Sequence, residues 1–100
     1  MDICVLGPPG FVLGFRLAGI KNVYEIHSED DLSESIRDIL TEKNISIVIM
    51  PGDQYERIPK YLKSELESSD KLLLVLGEEG ERRIREKTKR VMGVDLWRKE

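Results

Sequence analysis

Ile3-Cys4-Val5-Leu6-Gly7-Pro8-Pro9-Gly10-Phe11-Val12-Leu13-Gly14-Phe15-Arg16-Leu17-Ala18-Gly19-Ile20 contains, in order, a short apolar strand, a turn and a helix. The unbroken apolar run Ile3 to Leu6 reads as a strand covered on both faces. Gly7-Pro8-Pro9-Gly10 closes it, and Gly19 stands where a helix would end on a glycine. Between them, Phe11, Val12, Leu13, Phe15, Leu17, Ala18 and Ile20 leave only Gly14 and Arg16 to face water. An ordinary surface helix carries a single apolar stripe, so this helix is expected to have a second covered face. Two readings explain that face: the helix meets another molecule, or the domain wraps it with its own loops.

Outward from this unit the chain alternates. Asn22-Val23-Tyr24-Glu25-Ile26 has the alternating pattern of a half-covered edge strand. Ser28-Glu29-Asp30-Asp31 opens a helix in the manner of a capping box, with Leu32, Ile36, Ile39 and Leu40 at helical spacing behind it. Ile45 to Met50 is continuous and apolar, which predicts a central strand. Pro51-Gly52-Asp53 breaks it, with Asp53 placed as a helix cap. Tyr55, Ile58, Leu62 and Leu66 then mark one helix face, with Pro59 in a first turn or at an irregular entry. Leu72 to Leu76 is the fourth strand. Gly77-Glu78-Glu79-Gly80 leads to a last helix on which Ile84, Thr88, Val91 and Met92 share a side and which Gly93 ends.

Strand–helix alternation of this kind predicts an α/β fold: a small four-stranded parallel sheet joined by right-handed crossovers, with helices on both faces. With the second strand at an edge, the order is 2-1-3-4, a doubly wound, Rossmann/flavodoxin-like arrangement. Residues 1–78 form the core domain in this reading. Residues 79–100 form a C-terminal helix and tail free to detach.

A chain of 100 residues with 40% hydrophobic and 35% charged residues has the length of one domain and the balance of a globular one. Its net charge of −3 argues against non-specific nucleic-acid binding, which needs a concentrated basic surface. Cys4, the single cysteine, lies within an apolar run and reads as a small buried hydrophobe, which fits a cytoplasmic address. Met1-Asp2 leads straight into a strand rather than into a signal sequence. No apolar run approaches the about 20 residues that a spanning helix needs.

Such folds place their chemistry in the loops at the strand carboxyl ends. Pro8 and Pro9 carry no backbone N–H, so the first loop lacks donors that a phosphate cradle uses. Neither a Lys-Ser/Thr ending nor three-glycine spacing is present. A phosphoacceptor site would need carboxylates at the ends of strands one and three, which read Leu6-Gly7-Pro8 and Met50-Pro51. His27 is the only histidine and reads as a loop residue, so no imidazole or thiolate cluster forms within the chain. Glu29, Asp30 and Asp31 are the acids a helix dipole favours in a first turn, and no serine stands in a nucleophile-elbow setting. No catalytic residue, metal ligand or cofactor is therefore expected.

In the last helix Glu78, Glu79 and Glu81 lead and Arg82, Arg83, Arg85, Lys87, Lys89 and Arg90 trail, as the dipole prefers. The thin apolar stripe predicts weak packing. Beyond Gly93, Val94, Leu96 and Trp97 have no helix of their own to bury them, which favours a partner or a cleft.

The chain resembles the F subunit of the archaeal and vacuolar-type rotary ATPases and ATP synthases over essentially its whole length. The resemblance is carried by the strand closed by Gly7, by Gly14-Phe15-Arg16-Leu17-Ala18-Gly19-Ile20, and by the charged last helix running to Val91-Met92-Gly93-Val94. It departs from the family's pattern at Pro8, where an acidic residue is frequent, and at Gly77-Glu78, where a proline-containing exit is frequent. The resemblance implies a non-catalytic rotor part of the central stalk, clamped on the coiled coil of the D subunit beneath the catalytic A and B hexamer. It implies a position on the cytoplasmic side of the membrane, as an extrinsic part with no insertion of its own. A carboxyl-terminal helix that reaches along the stalk to tune ATP hydrolysis is implied as well. On this reading Phe11, Phe15 and Arg16 belong to the docking region. Arg83, Lys87, Arg90, Leu96 and Trp97 serve the mobile contact. Arg16 has an alternative role in an internal ion pair. Two other classes stay open: a receiver-like regulatory domain without its phosphoacceptor, and a nucleic-acid module using the basic last helix, for which the aromatic interleaving of single-strand binders is lacking.

Overall fold

The computed structural model of the protein describes residues 2–77 and 91–94, the latter as backbone. In chain order the elements are β1 (Asp2–Gly7), α1 (Pro9–Leu17), β2 (Asn22–Glu25), α2 (Glu29–Thr41), β3 (Ile45–Pro51), α3 (Gly52–Arg57), α4 (Lys60–Ser68), β4 (Leu72–Leu76) and β5 (Val91–Val94). All strand pairs are parallel, and the sheet order is β2-β1-β3-β4-β5. The order 2-1-3-4 expected from sequence stands, with β2 at one edge.

The fifth strand is an addition. Helical spacing places Val91 and Met92 on the last helix and Gly93 at its end; instead Leu73, Leu74, Val75 and Leu76 pair with Val91, Met92, Gly93 and Val94. The physical reason is non-local. The free edge of β4 presents a row of unpaired N–H and C=O groups, and Val-Met-Gly-Val is a poor helix former whose valines suit a pleated surface. The rest of the expected last helix lies outside the described residues.

Strand pairing lines up the core. Cys4, Val48 and Leu73 are mutually in register across β1, β3 and β4, and Met50 faces Val75 one step further along. These residues and Leu6 are fully buried and form one cluster with Leu32, Ile36 and Ile39 of α2, Tyr55 and Ile58, and Leu62 and Leu66 of α4. On the opposite face, Val5 and Val12 of α1 are fully buried outside that cluster. The helices thus cover both faces.

Two helix starts show how sequence sets the boundaries. Ser28 caps α2: its Oγ accepts from the Asp31 backbone N–H at 3.2 Å, while Asp31 Oδ2 accepts from the His27 N–H at 3.0 Å. Ser28→Ala is expected to cost about 1 kcal/mol, measured as a shift in the urea unfolding midpoint at unchanged m-value. The expected single helix carrying Tyr55, Ile58, Leu62 and Leu66 is divided. Pro59 cannot donate to a helical ladder, so α3 ends at Arg57 and α4 starts with Pro59 as its N-cap, the Pro59 carbonyl accepting from the Lys63 N–H at 2.8 Å. Asp53 sits in the first turn of α3, and the N-cap position belongs to Pro51.

Candidate partner interface

α1 begins on two prolines. Pro8 is the N-cap and Pro9 the first helical residue, where a missing N–H costs nothing. The Pro8 carbonyl accepts from the N–H groups of Phe11 and Val12 at 2.9 and 3.1 Å. The helix ends in a Schellman turn: the Gly19 N–H donates to the Arg16 carbonyl at 3.0 Å and the Ile20 N–H to the Phe15 carbonyl at 3.1 Å, with Gly19 at φ 105°. At the other end, a Cβ on Gly7 would lie 2.7 Å from the Phe11 ring and 3.1 Å from Pro51 Cδ. Glycine is therefore what lets Phe11 close over the end of β1.

Between those ends only Val12 is buried. Phe11 and Phe15 are half-buried, their rings tilted by 47° with centroids 5.2 Å apart. Leu13 and Leu17, one turn apart, are 50% and 79% exposed. Of the two readings open at the sequence level, wrapping by the domain's own loops therefore fails among the described residues: none of them covers the outer side of α1. The expectation that only Gly14 and Arg16 face water fails as well, because Leu13, Leu17 and Ala18 do so too. On the sheet, Ile3, Ile47 and Leu72 pair in one aliphatic row across β1, β3 and β4. Ile3 is exposed and the other two are half-buried.

Arg16 makes the internal ion pair that is its alternative role. Its Nη1 lies 3.2 Å from Glu25 Oε2 on β2, and His27 Nε2 lies 3.2 Å from Glu25 Oε1. The hydrogen bond from Arg16, followed by that from His27, holds the Glu25 carboxyl below the usual glutamate range. A carboxyl lowered on folding adds stability above its unfolded pKa and loses it as pH falls through the folded one. The groups are exposed, so the effect on stability is small. Arg16→Gln is expected to move the Glu25 titration, followed by side-chain carboxyl NMR, upward toward the ordinary glutamate value.

Of the other residues expected at an interface, Arg83, Lys87, Arg90, Leu96 and Trp97 lie outside the described residues. Leu13, Leu17 and Ile3 are added to the candidate surface by their exposure, although the Leu13/Leu17 spacing of four is visible in the sequence. Among the described residues no group of three or more His, Cys, Asp and Glu side chains is placed to hold a metal ion. Cys4 is fully buried and its thiol is pushed up to about 12 by that burial, only partly countered by Lys71. It should resist alkylation in the native protein. No described helix is long and apolar enough to cross a membrane.

A doubly wound α/β domain with an outward-facing apolar first helix is the class that fold and surface define. Residues 3–92 match the family model described as ATP synthase (F/14-kDa) subunit, and the chain belongs to that family. It is 40% identical over 99 residues to the A-type ATP synthase F subunit of Methanothrix thermoacetophila, covering 98% of this chain and 100% of that one. It is 33% identical over 98 residues to the A-type ATP synthase F subunit of Archaeoglobus fulgidus, covering 96% and 97%. The crystal structure of the Archaeoglobus fulgidus V-type ATP synthase F subunit superposes with a TM-score of 0.60 at 26% identity, over 95% of each chain.

Proposed function

We propose that this protein is a non-catalytic central-stalk component of an A-type/V-type ATP synthase, which binds the D subunit and couples or regulates ATP turnover with ion transport. In this reading it is extrinsic, sits on the cytoplasmic side of the membrane, meets the A/B hexamer transiently, and needs no cofactor. The observation that carries it is the exposed Leu13/Leu17 pair on α1. Two leucines held outward on a rigid helix gain by burial against an apolar partner surface, and membership of an ATP synthase subunit family supports the reading that such a partner is another subunit.

The docking region comprises Phe11, Phe15, Arg16 and the outer leucines. Phe11 and Phe15 brace the helix, and Arg16 fixes it to β2 through Glu25. Residues 1–78 serve as the docking body. Residues 79–100 serve as the regulatory contact through Arg83, Lys87, Arg90, Leu96 and Trp97, with Val91–Val94 returning to the sheet as β5. The test is co-expression with the D subunit of the same organism followed by size-exclusion chromatography, with a variant lacking residues 95–100 alongside. A one-to-one complex that survives the deletion supports the reading. Absence of a complex at low and moderate salt overturns it.

A further inference from the structure

At the carboxyl ends of β1, β2 and β3 lies a cleft of about 490 Å³ lined by Pro8, Phe11, Ile26, Leu32 and Pro51 and by a polar set, His27, Ser28, Glu29, Asp53, Gln54 and Arg57. It sits at the switch point beside β1, where successive strands are added first to one side of β1 and then to the other, the place where open α/β sheets bind ligands. Its volume falls in the range of small-molecule sites.

Three features give it a chemical identity. Gln54 is 7% exposed and its Oε1 is buried with no hydrogen-bond partner among the described residues, a cost that native proteins rarely carry without a ligand or water to relieve it. Glu29 and Asp53 are exposed acids, and Arg57 an exposed base; none of the three is ion-paired with another described residue. His27, by contrast, is engaged with Glu25. The proline-bearing entries to α1 and α3 remove backbone donors that a phosphate cradle would need. A purely anionic ligand meets two carboxylates here, and a purely cationic one meets Arg57. A ligand carrying both charges satisfies the set.

We propose that this cleft binds a small zwitterion of the amino-acid class, its carboxylate on Arg57, its ammonium among Glu29 and Asp53, and its apolar part against Phe11, Pro8 and Pro51. Gln54 lines the cleft beside this set, and a ligand donor that reaches its Oε1 supplies the partner which that atom lacks among the described residues. The inference does not rest on the docking reading, since it concerns the strand ends and not the exposed leucines of α1; Phe11 alone is common to the two regions.

The probe is L-leucine, with leucinamide and N-acetyl-leucine as comparison compounds that each lack one charge, titrated into the isolated protein and followed by ¹H–¹⁵N correlation spectra. The expected result is saturable shifts confined to Phe11, His27–Glu29 and Asp53–Arg57, including the Gln54 side-chain amide, with an affinity on the order of millimolar. Both blocked compounds bind roughly tenfold more weakly or worse. Arg57→Gln and Asp53→Asn, both at exposed positions, weaken leucine by a similar factor at unchanged melting temperature. No saturable shift, shifts centred elsewhere, or equal binding of leucine and leucinamide overturns the proposal.

Discussion

Leu13→Glu together with Leu17→Lys leaves the fold intact and removes the protein from its complex. Both side chains are exposed in the free domain, and an acid four residues ahead of a base favours the helix it sits on. The second substitution also lies in the last turn, where a cation suits the dipole. Stability is therefore expected to change by no more than about 0.5 kcal/mol. In the complex the two leucines would each be worth on the order of 1–2 kcal/mol of burial beyond what the free domain already hides, and charges in their place add a desolvation cost. The proposed binding to the D subunit should fall by at least about a hundredfold. Isothermal titration with both proteins purified, next to a thermal melt of the variant alone, separates the two quantities. Unchanged affinity in the variant would move the interface off α1.

Lys71→Met is expected to be strongly destabilising. Lys71 is 3% exposed, and its Nζ donates to the backbone carbonyls of Glu42 at 2.7 Å and Ile45 at 2.9 Å. Glu42 is the C-cap of α2, and that helix has no basic residue in its own last turn. A lysine contributed from just ahead of β4 thus supplies the cation that complements the end of α2 and the start of β3. Methionine keeps the bulk of the side chain but takes the ammonium from both carbonyls, leaving that of Glu42 with only the long bond from the Ile45 N–H at 3.4 Å. The loss of two hydrogen bonds from a charged donor, one of them to the buried Ile45 carbonyl, gives a loss of about 3 kcal/mol. Urea unfolding reads it as a lowered midpoint; a loss below about 1 kcal/mol would mean that water replaces the ammonium.

The parallel order is legible in the sequence because each strand announces itself locally, as continuous apolar runs in β1, β3 and β4 and as an alternating one in β2. Strand β5 is not, because Val91-Met92-Gly93-Val94 is too short to fix its own conformation; the exposed edge of β4, distant in sequence, decides it. Pro59 is a visible breaker, but where it divides the helix depends on Pro51 and Ile58 at the ends of α3. At the candidate interface, the excess of apolar residues on α1 is readable. Which of them point outward is not, since that follows from Val12 seating on the sheet and Phe11 closing over Gly7. Lys71 and Gln54 give no local signal at all, because their roles exist only once distant backbone and side chains have come together.

Whether α1 is the docking helix can be read from hydrogen exchange of its amides, in the free protein and in complex with the D subunit. Added protection concentrated at Leu13 to Ala18 on complex formation is the predicted result. A complex that forms with α1 exchanging at its free rate, and protection appearing elsewhere, would contradict it.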